Sequence, residues 1–161
     1  MILRTALLIY FIFCSLSYAT AGDDGFRESI NELVEKAGDK PALDGKDGWY
    51  FLTEELRHIA AGVFWGEKAV SVSLAKPEYA DPLPSVLDFN DQLKKHDITL
   101  MLAVIPPKAV IYPEMLGPDM PETSVDERNR VYEEFYEILR DAGITVVNLA
   151  SILDAAKKNG R

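Results

Sequence analysis

The stretch ITLMLAVI, from Ile98 to Ile105, constrains the fold more than any other part of this chain. It is a continuous apolar run without the alternation of a half-exposed strand, and Pro106 and Pro107 stop it abruptly, since neither can donate to a sheet. Such a run predicts a central parallel strand buried on both faces. Its neighbours agree. Before it, SVLDFNDQLKKHD sets Val86, Phe89 and Leu93 on one helical face, with Lys94 and Lys95 near the C-terminal end where positive charge suits the macrodipole. After it comes a proline-rich loop, AVIYPEMLGPDMPE, and then the strongest helix signal in the chain, SVDERNRVYEEFYEILRDAG. There Ser124 and Glu127 form a capping box, Val131, Phe135, Ile138 and Leu139 make an apolar stripe, and Gly143 closes the helix. ITVVNL reads as a second buried strand and ASILDAAKKNG as a final helix. Strand, helix, strand, helix is the α/β layered pattern, with a right-handed crossover expected.

Upstream, FRESINELVEKAG places Phe26, Ile30, Leu33 and Val34 at helical spacing and ends near Gly38. DKPALDGKDG is turn material, and WYFL (Trp49 to Leu52) is a short aromatic strand leaving its second Asp-Gly. TEELRHIAAG predicts a short helix capped by Thr53 and closed by Gly62, VFWG a short buried segment, and Lys76 to Pro84 a loop. The first residues differ in kind. Arg4, the apolar run Ala6 to Ala19 and the small residues Ala19 and Ala21 have the form of an export signal cleaved after Ala21, too short to span a bilayer.

Cleavage removes Cys14, the only cysteine, and with it disulfides, thiolate metal sites and a cysteine nucleophile. It also removes Arg4, so the 17 basic side chains fall to 16 against 26 acidic ones, a net charge of about −10. That balance excludes phosphate backbones and anionic lipid as natural partners.

No catalytic constellation is visible. His58 and His96 stand alone, His58 as a packing residue and His96 at a helix end, and neither has a metal-ligand partner at motif spacing. DGKDG lacks the acidic spacing of a calcium loop. No Gly-x-Ser-x-Gly elbow is present, and Ser71, Ser73, Ser85, Ser124 and Ser151 fit strand-edge or capping roles. Lys108 is the one candidate ligand-facing residue. It stands at the carboxyl end of the predicted central strand, where α/β folds place their ligands, with a plain surface-turn lysine as the alternative. No metal or other cofactor is expected.

Three segments in order carry a resemblance: GKDGWYFL; LDFNDQLKKHDITLMLAVIPPKAVIYPEML; and LRDAGITVVNLASIL. Together they resemble the SGNH-hydrolase-like domain of alginate O-acetyltransferases, the AlgX/AlgJ type. There a Gly-x-x-Gly-Trp-x-Phe turn and strand is followed by Val-Pro-x-Lys with a downstream Tyr-Pro. The resemblance implies a three-layer, flavodoxin-like α/β fold, a parallel sheet flanked by helices and incomplete at the C-terminus. Beside residues 1–21 as signal peptide and 22–42 as N-terminal helix and linker, it implies 43–161 as the N-terminal part of the domain. It implies acetyl transfer to hydroxyls of an exopolysaccharide in the periplasm, with other polysaccharide-assembly proteins as partners, no nucleic acid and no membrane span after signal cleavage. The family's serine and its Asp-x-His segment would follow Arg161, so no triad residue is carried over. Two other readings stay open: a short non-catalytic module that binds sugar or a partner, with Trp49, Tyr50 and Trp65 as stacking candidates, and a fragment of an SGNH-type esterase. The acidic balance favours a neutral acceptor over an anionic one unless Lys94, Lys95, Lys157 and Lys158 form a local basic surface.

Overall fold

The computed structural model describes residues 21–160. The expected export signal therefore lies outside the described residues except for Ala21, with which helix α1 (Ala21–Ala37) begins. Among the described residues no helix is long and apolar enough to cross a membrane. Phe26 and Ile30 of α1 are fully buried, and Leu33 and Val34 pack beside them, as their spacing predicts.

Strand β1 (Ala42–Asp44) pairs antiparallel with β2 (Tyr50–Leu52), Leu43 opposite Phe51. The sequence reads this stretch as turn material; its three residues acquire strand geometry only by pairing with β2. Phe51 is completely buried between exposed Tyr50 and Leu52, the alternation of a one-sided hairpin. Its turn uses two glycines for different reasons. A Cβ on Gly45 would sit 2.5 Å from the Met115 carbonyl oxygen and 2.8 Å from the Phe51 ring, so only hydrogen fits. Gly48 has open space but a φ of +77°, which L side chains rarely adopt.

Helix α2 (Thr53–Ala61) closes at Gly62 as expected, but Thr53 does not cap it. Leu52 occupies the cap position without a side-chain bond, while the Thr53 hydroxyl is buried with no protein partner and its N–H donates to the Pro41 carbonyl at 3.0 Å. The VFWG segment, expected to be buried, is only half-buried. After the short α3 (Ala69–Val72), helix α4 (Pro82–Lys94) starts three residues earlier than the sequence reading. Asp81 caps it by accepting from the Leu83 N–H at 3.0 Å, and Pro82 and Pro84 occupy the first turn, where a missing N–H costs nothing. Its buried side also differs: Leu83, Val86, Leu87 and Asn90 face inward, whereas Phe89 is 52 % exposed.

Strand β3 (Met101–Val104) and strand β4 (Thr145–Asn148) form a parallel pair, Met101 opposite Thr145 through Val104 opposite Asn148. Between them run α5 (Lys108–Ile111), α6 (Val125–Arg128) and α7 (Arg130–Asp141); α8 (Leu149–Lys158) follows β4. The expected capping box is present, with the Ser124 hydroxyl accepting from the Glu127 N–H and the Glu127 carboxylate accepting from the Ser124 N–H. It caps α6, however, and Asn129 (ψ 3°) separates that turn from α7, so the predicted single helix is two.

Two cores result. One joins α1, β2, α2 and α5 around Phe26, Ile30, Phe51, Leu56 and Val110, all at 0 % exposure. The other sets Phe135, Tyr136 and Leu139 of α7, with Ile144, against Leu102, Val104 and Val146 on one face of the parallel pair. The other face is bare: Met101 is 64 % and the following Ile105 80 % exposed. The expectation of a strand buried on both faces is thereby corrected. A strand's alternate side chains point to opposite faces, and on the second one Met101, Ala103 and Thr145 are exposed and Val147 only half-buried.

Candidate functional site

The carboxyl ends of β3 and β4 are where an open α/β sheet places chemistry, and Lys108 stands there as the sequence predicts. Its ammonium is engaged from within. Nζ donates to the Tyr50 carbonyl at 2.7 Å and lies 4.7 Å from the Trp49 ring centroid and 5.1 Å from that of Phe51. Its backbone N–H donates to the Glu55 carboxylate at 3.3 Å. Lys108 thus ties the β1–β2 hairpin and the N-terminus of α2 to the end of β3, by a charge-assisted hydrogen bond and cation–π attraction together. Trp49, besides stacking on Phe51, meets Tyr112 at 4.8 Å, and the Tyr112 ring carries the Lys157 ammonium at 4.8 Å.

Sequence reasoning missed Glu55. Its carboxyl is half-buried, and desolvation holds its pKa above the ordinary value against the opposing pull of Lys108. One turn on, His58 lies on the rings of Phe64 (5.0 Å) and Tyr132 (6.0 Å), and burial lowers its pKa. It is the packing residue the sequence reading expected, and Tyr132 beneath it is pushed up in pKa, chiefly by its own desolvation. Among the described residues no hydrogen bond joins a histidine ring to a serine or a carboxylate. Serine hydroxyls are engaged locally instead: Ser71 donates to the Lys68 carbonyl at 2.7 Å, and Ser73 accepts from the Ala75 N–H at 3.0 Å. No three His, Cys, Asp or Glu among the described residues are grouped to hold a metal ion. At the end of β4, Asn148 caps α8 through the Ala150 N–H and donates to Glu133, which also accepts from Arg140.

A second polar cluster lies between α6 and α8. Arg128, 8 % exposed, donates through Nε to the Val110 carbonyl at 2.8 Å and through Nη1 to the Thr123 carbonyl. Desolvation lowers its pKa while Asp154, 7 % exposed, and Glu114 oppose that shift. Asp154 pairs with Lys158 at 2.6 Å, a spacing that reads in sequence as an ordinary solvated helix pair and hides the burial. Lys157 pairs with Glu114 at 2.9 Å and donates to the Ile111 carbonyl at 2.6 Å, and Lys94 donates to the Ala142 carbonyl at 3.1 Å. Three of the four lysines considered for a basic surface thus have intramolecular partners. Of the stacking candidates, Trp65 packs on Phe64 and Phe135, and Tyr50 is 61 % exposed.

Comparison with known proteins agrees with this scaffold. A family model described as the SGNH hydrolase-like domain of acetyltransferase AlgX matches residues 42–161. Two similar curated relatives are both named probable alginate O-acetylase AlgJ. The protein from Pseudomonas aeruginosa is 33 % identical over 116 residues, 72 % of this chain and 25 % of its own length. That from Pseudomonas syringae pv. tomato is 30 % identical over 117 residues, 73 % of this chain and 26 % of its own. The chain therefore spans about a quarter of the length of the curated relatives it matches. No solved structure matches it. With a parallel strand pair, its flanking helices and a family match running from the β1–β2 hairpin onward, the chain belongs to the SGNH hydrolase-like domain family of the acetyltransferase AlgX.

Proposed function

We propose that the chain is the N-terminal scaffold of an exported polysaccharide O-acetyltransferase, which moves an acetyl group to sugar hydroxyls. The family match over residues 42–161 carries this reading, and the relatives' printed names supply acetyl transfer and a polysaccharide acceptor. In the mechanism proposed, a serine attacks the acetyl donor, a histidine held by an aspartate takes its proton, and backbone donors stabilise the oxyanion. The oxyanion collapses and expels the donor's leaving group, which takes the proton from the histidine; a sugar hydroxyl then attacks the acetyl-serine, giving its proton to the histidine, which passes it to the departing serine. These reacting groups lie in polypeptide beyond Arg161, and that polypeptide also supplies the rest of a three-layer parallel sheet. The periplasm is the place of action, reached by the export signal at residues 1–21.

What the described residues contribute is placement. Lys108, Trp49 and Glu55 fix the hairpin and α2 against the end of β3, so that a reacting group arriving there meets a rigid wall. The bare β3–β4 face supports the reading, because an apolar sheet face of this kind is normally covered. The test is to read the DNA beyond the Arg161 codon in all frames and express the extended product. An Asp-x-His-Trp-like segment, and an acetyl-serine trapped by mass spectrometry, are the expected results. No such codons within the next few dozen, in any frame, would sink the proposal.

A further inference from the structure

Helix α2 presents Glu54, Arg57 and His58 at helical spacing to a groove of about 660 Å³, a volume within the ordinary range for small-molecule sites. The segment from Ser71 to Pro82 forms the other wall. The two walls differ in kind. On α2, the Arg57 guanidinium is bonded to the Glu54 carboxylate and to the Gly38 carbonyl, so its planar fork is held in place while 40 % of the side chain stays exposed. His58 adds an imidazole that burial keeps neutral, one ring nitrogen a donor and the other an acceptor. Across the groove stand Tyr79, 72 % exposed, and Leu74, 88 % exposed, and Phe64 also lines it.

An occupant that suits both walls is apolar on its flat faces and hydroxylated around its rim. That is a pyranose ring. We propose that this groove is a subsite for uncharged sugar residues of a polysaccharide chain, with Tyr79 stacking on a ring face and Glu54, Arg57 and His58 meeting ring hydroxyls. The inference rests on the acetyltransferase reading for its polymer and adds the subsite and the charge class of the sugar.

Position supports it. Glu55, the residue after Glu54, accepts a hydrogen bond from the Lys108 N–H at the end of β3, so the helix that walls the groove is the one tied to the carboxyl end of that strand. Charge supports it too. The charged groups lining the groove are Glu54 and Arg57, already paired with each other. A carboxylate on a sugar that reached Arg57 would lie beside the Glu54 carboxylate, which already offsets the guanidinium charge, so it would meet repulsion that a hydroxyl does not. Of the four lysines considered for a basic surface, Lys94, Lys157 and Lys158 bond within the protein elsewhere.

Calorimetric titration of the full chain at low salt tests this, with hexamers of β-1,4-linked glucose, mannose and mannuronate as probes. At least one neutral hexamer is expected to bind about tenfold more tightly than the mannuronate hexamer. Tyr79→Ala, at an exposed ring whose loss leaves the core untouched, is expected to weaken that binding by about tenfold, while Tyr79→Phe retains it. Phe89→Ala, at an exposed ring of α4 that does not line the groove, is expected to leave it unchanged. Equal or tighter mannuronate binding, indifference to Tyr79→Ala, or no heat with either neutral hexamer would overturn the proposal. Neutral-hexamer binding by an extended product that transfers no acetyl group would uphold the groove and sink the parent reading. Acetyl transfer without hexamer binding would do the reverse.

Discussion

The hairpin-side core and the β3–β4 side of this molecule both draw on apolar sequence, yet only one of them is sealed. Phe26, Phe51, Leu56 and Val110 come from four separate elements and each reaches 0 % exposure. Met101, Ile105 and Ile98 belong to the most apolar run in the described chain and remain 64 %, 80 % and 51 % exposed. Burial is thus a property of partners rather than of composition. A strand shows two faces, and α7 covers one of them with Phe135, Tyr136 and Leu139.

The comparison breaks most sharply at Phe51. Phe51→Ala is expected to cost about 3–5 kcal/mol in urea unfolding, because a fully buried ring leaves a cavity between the hairpin and α2. Met101→Ala, at a side chain just as apolar, is expected to change stability by no more than about 0.5 kcal/mol. Similar losses at the two positions would show that the second face is covered after all. Lys108→Met keeps the stem and removes the charge, so its loss of about 1–2 kcal/mol would measure the tie between hairpin and β3. Ser124→Ala removes the cap on α6 and is expected to cost about 1 kcal/mol, read by the same unfolding curves.

The smallest expected effect is a slope with pH. The His58 pKa is lowered in the folded state by burial, so the unfolded chain binds more protons just below pH 6.5. Stability therefore falls as pH drops from 6.5 to the folded-state value, and His58→Phe is expected to flatten that window. Glu55 acts in the opposite sense. Its raised pKa makes the folded state bind the extra proton, so its contribution is present below 4.5 and is lost as pH rises through the raised value. Unfolding curves across pH 4 to 7 for His58→Phe and Glu55→Gln separate the two slopes.

How much of this was legible in the sequence depends on whether a feature is local. The capping box, the punctuation at Gly38, Gly62 and Gly143, and the α1 stripe are set within one or two turns of chain, and the structure has them where the residues place them. Strand β1 was not legible, because Ala42–Asp44 becomes a strand only by pairing with β2 across the turn. The inward face of α4 was misread for a related reason. Starting the helix at Pro82 rather than Ser85 brings Leu83 and Leu87 into the buried side and leaves Phe89 out. The place of Lys108 after a strand is legible, but its bond to the Tyr50 carbonyl spans 58 positions and leaves no trace in local pattern. Glu55, Arg128 and Asp154 were missed because each looks like an ordinary helix-surface charge until the tertiary contacts half-bury or bury it.

Sedimentation velocity of the chain beside a Met101→Lys/Ile105→Lys variant tests the bare face most directly. An apolar face without a cover should drive self-association that rises with protein concentration, and two lysines there should leave a folded monomer with unchanged circular dichroism. A parent chain that stays monomeric at every concentration, with the two lysines unfolding it, would mean that Met101 and Ile105 are buried in the protein and that the face needs nothing more.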